Sequence, residues 1–186
     1  ESLDFPLYPL NEEQADGKFT MLALGDAQVR DYQEMNYMRD DIVADIVADD
    51  AFGADFAIAL GDMLTDQLTL YPQFKQIMGL MGIPVFYVPG NHDMDVDAID
   101  DTHHLDTYIS YFGPTNYSFD YGNVHYVVLD NVKWLGATPN LSTGNMTDGF
   151  SSNALTWLAN DLAFVPKDKL LVLAMHIPLV TWVDAP

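Results

Sequence analysis

An α/β fold is predicted by three features of the 186-residue chain. Apolar runs of strand length alternate with segments of helical periodicity, the pattern of strands joined through helices. Four of these runs stop at a glycine or at a polar, chemistry-bearing residue: 19–24 leads into Gly25-Asp26-Ala27-Gln28, 56–60 into Gly61-Asp62, 83–88 into Pro89-Gly90-Asn91-His92-Asp93, and 170–175 into His176. Two further extended runs flank Tyr121-Gly122-Asn123, a hairpin signature that makes the sheet system mixed.

Taken in order, residues 1–17 are polar and carry Pro6, Pro9 and the acidic pair Glu12-Glu13, so they read as a lead-in or linker before one domain over 18–186. Residues 18–25 are the first strand. The helix after it places Ile42, Val43, Ile46 and Val47 on one face, with Asp40, Asp41, Asp45 and Asp49 opposite, and Gly53 ends it. The second strand spans 55–60. Residues 68–80 carry Leu70, Phe74, Ile77 and Met78 at helical spacing, closed by Gly82 and Pro84. The third strand covers 83–88. An acidic loop over 94–106 holds His103 and His104, both read as solvated surface, and a short apolar pattern at 107–112 stops at Gly113-Pro114. The hairpin arms are 117–120 and 124–130, with His125 in a structural place. Residues 131–149, rich in Asn, Thr and Gly, read as loop. A helix over 153–163 turns Leu155, Leu158 and Leu162 inward, and 170–176 is the last strand.

Composition narrows the chemistry. Half the residues are apolar, so the chain is globular. The formal net charge of −21, with seven Lys and Arg against 28 Asp and Glu, argues against binding a nucleic-acid backbone. A phosphorylated substrate would need bound cations to supply positive charge. No apolar run approaches the roughly 20 residues of a membrane-spanning helix. The absence of cysteine excludes disulfides, thiolate chemistry and sulfur-ligated zinc. The chain begins at Glu1 and not Met, which fits removal of a leader or of an upstream domain. With the acidic surface and the missing cysteines, that points to an exported bacterial protein, periplasmic or extracellular.

Sites in α/β proteins gather beyond the carboxyl ends of strands. Here the strand ends deliver Asp26, Gln28, Asp62, Asn91, His92 and His176 to what reads as one sheet edge. Oxygen and imidazole donors of this kind suit divalent Mn, Fe or Zn. Singly, Asp26 and Asp62 could cap helices and His176 could be a core histidine. Their recurrence at strand ends favours one shared site.

The ordered set Gly25-Asp26-x-Gln28, Gly61-Asp62, Gly90-Asn91-His92-Asp93 and His176 resembles the calcineurin-like metallophosphoesterases. Tyr117-Ser118-Phe119, Val127-Val128-Leu129-Asp130 and Met175-His176-Ile177-Pro178 extend the likeness over about 18–179, and it is greatest to the multidomain calcineurin-like proteins of gut bacteria. The resemblance implies two facing mixed β-sheets flanked by helices. It also implies hydrolysis of a small phosphorylated substrate (a mono- or diester, or a nucleotide pyrophosphate) by a hydroxide bridging two metal ions, with no phosphoenzyme. Asp26 and Gln28 would bind one metal, Asp62 would bridge, and Asn91 and His176 would bind the other. His92 would serve the leaving oxygen and Asp93 would support the motif. Three departures stand out. Gln28 replaces a metal-binding histidine, favouring Mn or Fe over Zn. Thr65 replaces an Asp, with Asp66 one residue later. The closing Gly-His-x-His motif is missing before Pro186, which fits a C-terminally incomplete core within a longer, multidomain parent. A degenerate, non-catalytic binding domain, or an inert fragment of an active parent, is the alternative.

Overall fold

The computed structural model describes residues 10–15, 17–136 and 145–179. Most of the expected lead-in, the segment 137–144 and the last residues 180–186 lie outside that set. After a one-turn helix α1 (Glu12–Ala15), the strands β1 (Met21–Leu24), β2 (Phe56–Ala59) and β3 (Val85–Tyr87) form a parallel sheet in the order β1-β2-β3. The hairpin forms as β4 (Tyr117–Tyr121) and β5 (Val124–Val128). The last strand β8 (Leu170–Ala174) joins β5 in parallel, so the second sheet, β4-β5-β8, is mixed. Residues 131–149 are not simply a loop. They contain β6 (Val132–Gly136) and β7 (Asn145–Asp148), an antiparallel pair whose strands are too short to stand out from the Asn-, Thr- and Gly-rich text around them.

The two sheets face each other through aromatic side chains. Alternation along β2 turns Phe56 and Ile58 toward the second sheet, where they meet Tyr126, Val128, Phe119 and Tyr121. Phe86 stacks on Phe119, and Phe56 stands edge-on to Phe86, Phe119 and Tyr126. Such pairs contribute about 0.5–1.5 kcal/mol each beyond the area they bury. The alternate residues Ala57 and Ala59 turn outward, where their small side chains let the helices pack close.

Two helical faces differ from expectation. The helix after β1 begins as α2 (Tyr32–Tyr37), whose Asp31 carboxylate accepts hydrogen bonds from the Gln33 and Glu34 amides. It then passes through a π-helical turn, Met38–Val43, into α3 (Ala44–Ala48). A π-turn inserts one residue, rotating the next turns of helix by about 100° relative to a continuous α-helix. Met35, Met38, Val43 and Ile46 are therefore buried, whereas Ile42 and Val47, expected inside, are 55% and 46% exposed. Helix α4 (Tyr71–Gly79) buries Phe74, Ile77 and Met78 as its spacing predicts. Helix α5 (Asp106–Phe112) precedes the hairpin. Helix α6 (Ser152–Leu162), capped by Ser151, buries Ala154 and leaves Leu155 half exposed, because Asp161 is drawn inward by His125 and Ser118. His103 is exposed, but His104 is buried and not solvated. The acidic loop folds back so that the Asp95 amide donates to the His104 carbonyl and the Trp134 amide donates to Asp101.

Candidate functional site

The strand ends that carry the polar motifs belong to both sheets and not to a single edge. Three come from β1, β2 and β3, the fourth from β8, and the facing of the sheets sets them side by side. The chain leaves these strands in an unusual conformation. Asp26, Gln28, Asp62 and Asp66 all have φ between 42° and 59°, the left-handed region that Asp tolerates better than most residues. Hydrogen bonds between the loops offset the strain. The Gln28 amide donates to the Asp62 carbonyl (2.8 Å), the Thr65 amide to the Val29 carbonyl (3.0 Å), and the Thr65 hydroxyl to the Gln28 carbonyl (2.8 Å). Glycine is required where loops meet. A Cβ on Gly90 would lie 2.2 Å from Asp62 Oδ1, and one on Gly61 would lie 2.7 Å from His176 Nδ1.

Asp62, 2% exposed, stands at the centre. Its Oδ1 accepts the His92 amide at 2.8 Å and lies 3.4 Å from His176 Nε2; its Oδ2 accepts Gln28 Nε2 at 3.0 Å. Burial works to raise this carboxyl, but His176, the His92 amide and Gln28 together hold it below the usual range. His176 Nδ1 donates to the Leu60 carbonyl at 2.9 Å, which turns Nε2 toward Asp62 Oδ1 and toward Asn91 Oδ1 at 3.1 Å. Burial lowers the His176 imidazole, yet Asp62 and the Leu60 carbonyl more than compensate and push it up to about 9. An Nε2 proton thus sits among the oxygens of Asp62 and Asn91. Replacing it by a divalent cation would turn the same three atoms into ligands, so the residues fit a metal ion. Among the described residues no three carboxylate or imidazole side chains gather by themselves, so the donor set depends on the amides of Asn91 and Gln28. Asp26, the remaining predicted ligand, makes no side-chain hydrogen bond to the other four among the described residues. Its side chain is exposed at the rim of a cavity of about 330 Å³, lined also by Gly61, Met63 and Phe74.

His92 lies against this cluster without joining it. Its Nε2 is 4.0 Å from Asp62 Oδ2, and its Nδ1 is hydrogen-bonded to Asp66 Oδ1 at 2.9 Å. The partner of His92 is therefore Asp66, and the extra residue between Asp62 and Asp66 is absorbed by the left-handed turn at Asp66. Asp93 is fully buried. Its Oδ2 accepts the amides of Asp62 (2.9 Å) and Gly90 (2.8 Å), and its Oδ1 accepts the Tyr71 hydroxyl (2.8 Å), so one side chain fixes two motif loops. Burial, with the nearby Asp62 charge, pushes its carboxyl up to about 6 against the pull of those hydrogen bonds. The Tyr71 hydroxyl is raised by burial and by Asp93. Sequence reasoning missed Tyr71 altogether, since a tyrosine opening a helix carries no local signal of a partner 22 residues away.

Comparison with known proteins bears on the family and the fold. The family model for calcineurin-like phosphoesterases matches residues 19–184. No curated protein sequence matches the chain significantly. Among solved structures, a dimetal phosphatase from Danio rerio superposes with a TM-score of 0.60 at 15% identity, covering 87% of this chain and 70% of that one. A purple acid phosphatase from yellow lupin (Lupinus luteus) seeds superposes with a TM-score of 0.55 at 14% identity, covering 82% of this chain, which spans only 29% of the lupin protein. At such identities the likeness shows the shared fold. With the family model matching nearly the whole length, the chain belongs to the calcineurin-like phosphoesterase family.

Proposed function

We propose that this chain hydrolyses a phosphate ester at a pair of metal ions held by Asp26, Gln28, Asp62, Asn91 and His176. The observation that carries the reading is the meeting of Asp62 Oδ1, Asn91 Oδ1 and His176 Nε2 at strand ends from two different sheets. When bound, divalent cations would supply positive charge to phosphoryl oxygens that a chain of net charge −21 would otherwise repel, and would acidify a water nucleophile. The protein's own contributions come from its geometry. Asp62 presents one carboxylate oxygen toward His176 and the other toward Gln28, the disposition of a bridging ligand. The Gln28 side chain now donates through Nε2, and rotation of its amide would turn the Oε1 oxygen to a cation, a hard donor that favours Mn or Fe. His92, oriented at Nδ1 by Asp66, turns Nε2 away from that bond, where it can serve as the proton donor to a departing alkoxide. Asp93 and Tyr71 keep the two loops in register.

The substrate class is a small phosphorylated molecule: a mono- or diester or a nucleotide pyrophosphate. The likeness to gut-bacterial multidomain members extends the reading to an exported parent chain with further domains. The test is elemental analysis after loading with Mn, then turnover of p-nitrophenyl phosphate and bis(p-nitrophenyl) phosphate. Asp62→Asn should lose both metal and turnover. Retention of two equivalents by Asp62→Asn would refute the bridging role, and metal without turnover in a longer chain reaching past Pro186 would favour a non-catalytic binding domain.

A further inference from the structure

Ladder pairing between β5 and β8 ends at Val128 and Ala174, with a last hydrogen bond from the Leu129 amide to the Ala174 carbonyl (3.0 Å). Beyond that point the backbones separate, and the segment Met175-His176-Ile177 has to be held by something else. A buried backbone amide or carbonyl left unpaired is costly, so this segment needs partners outside the ladder. Those of Ile177 come from one side chain. The Ile177 amide donates to Asn131 Oδ1 at 3.1 Å, and Asn131 Nδ2 donates to the Ile177 carbonyl at 2.6 Å. Asn131 is 3% exposed, and its own carbonyl accepts the Gly149 amide at 3.0 Å, anchoring it to the loop after β7. A carboxamide has one acceptor and one donor in the same relation as a peptide group, so Asn131 continues the sheet by one rung where the main chain cannot.

The rung lies next to His176. Opposite it, the His176 ring is fixed by the Leu60 carbonyl. We infer that Asn131 is a positioning residue for His176: by clamping both polar groups of Ile177 it sets the height and rotation of the imidazole against Asp62 and Asn91. This rests on the reading of His176 as a metal ligand. Supports that orient a ligand in this way usually change metal affinity about 10–100-fold when removed. A residue with a merely structural role would lower the stability of the metal-free protein and leave metal affinity alone.

The experiment is a Mn titration read by electron paramagnetic resonance on the unaltered chain, on Asn131→Ala, on Asn131→Asp and on His176→Ala, with thermal unfolding of each in excess chelator. Asn131→Asp has the size of the native side chain and keeps the acceptor for the Ile177 amide, so it guards against a variant that fails to fold. The expected result is Mn affinity weakened about 10–100-fold in both Asn131 variants, in the same direction as His176→Ala. Affinities for the Asn131 variants within twofold of the unaltered chain, while His176→Ala still weakens binding, would overturn the positioning role alone. Equal binding by the unaltered chain and His176→Ala, or none in either, would overturn the metal reading of His176 and the inference with it.

Discussion

His92 is the residue whose surroundings separate chemistry from metal binding most cleanly. Its ring touches Asp66 at 2.9 Å but stays 4.0 Å from the Asp62 carboxylate. His92→Ala should therefore leave metal equivalents unchanged, by elemental analysis, while turnover falls by about 10²–10⁴-fold, the usual worth of a positioned proton donor. Loss of metal along with activity would make it a ligand. Gln28 gives a second test, because the amide is the feature that biases the donor set toward hard metals. Gln28→His should shift the preference toward Zn in a competition between Mn and Zn; an unchanged ratio would place Gln28 outside the ligand set. The left-handed backbone at Asp26, Asp62 and Asp66 guides the choice of variants there. Asn tolerates that conformation and Ala does not, so Asp→Asn changes charge without adding strain.

At the scale of elements, the meeting of loops after β2 and β3 leaves no room for a side chain. Gly90→Ala would put a methyl 2.2 Å from Asp62 Oδ1, so one loop must move; Mn binding measured by calorimetry should be lost while far-ultraviolet circular dichroism keeps its shape. Normal binding by that variant would mean the loops are more yielding than their contacts imply. The strands that carry the site were legible in the sequence because each is an unbroken apolar run, and their polar endings gave the ligand candidates. The features that stayed hidden had no local pattern. The strands β6 and β7 are short and set in polar text, and a π-turn altered which face of the helix after β1 points inward. His104 is buried only because distant residues fold its loop back. Asp66 was ambiguous by one residue, a spacing that only the left-handed turn resolves.

For the molecule as a whole, His125 is a cross-tie between β4, β5 and α6. It bridges Asp120 (2.7 Å) and Asp161 (2.8 Å); Lys169 pairs with Asp120, and Ser118 donates to Asp161. Burial lowers the His125 imidazole, but Asp161 and Asp120 outweigh it and leave it above 6.5, while Lys169 and His125 overcome burial to hold Asp120 below 3.8. Stability from His125 is fully present below pH 6.5 and is lost as pH rises through its higher folded value. Stability from Asp120 is present above about pH 3.8 and is lost as pH falls through its depressed folded value. The thermal midpoint should thus decline as pH rises above 6.5, and His125→Gln should flatten that decline; an unchanged slope would mean the bridge does not couple to folding. The same two-sheet plan has a consequence for biogenesis. His176 meets the Leu60 carbonyl 116 residues upstream and Asn91 85 residues upstream, so the proposed metal site closes only when β8 takes its place beside β5. A nascent chain emerging from the ribosome would expose Asp62 and Asn91 before the imidazole that meets them has been made, and metal capture at the proposed site would wait until the second sheet has docked.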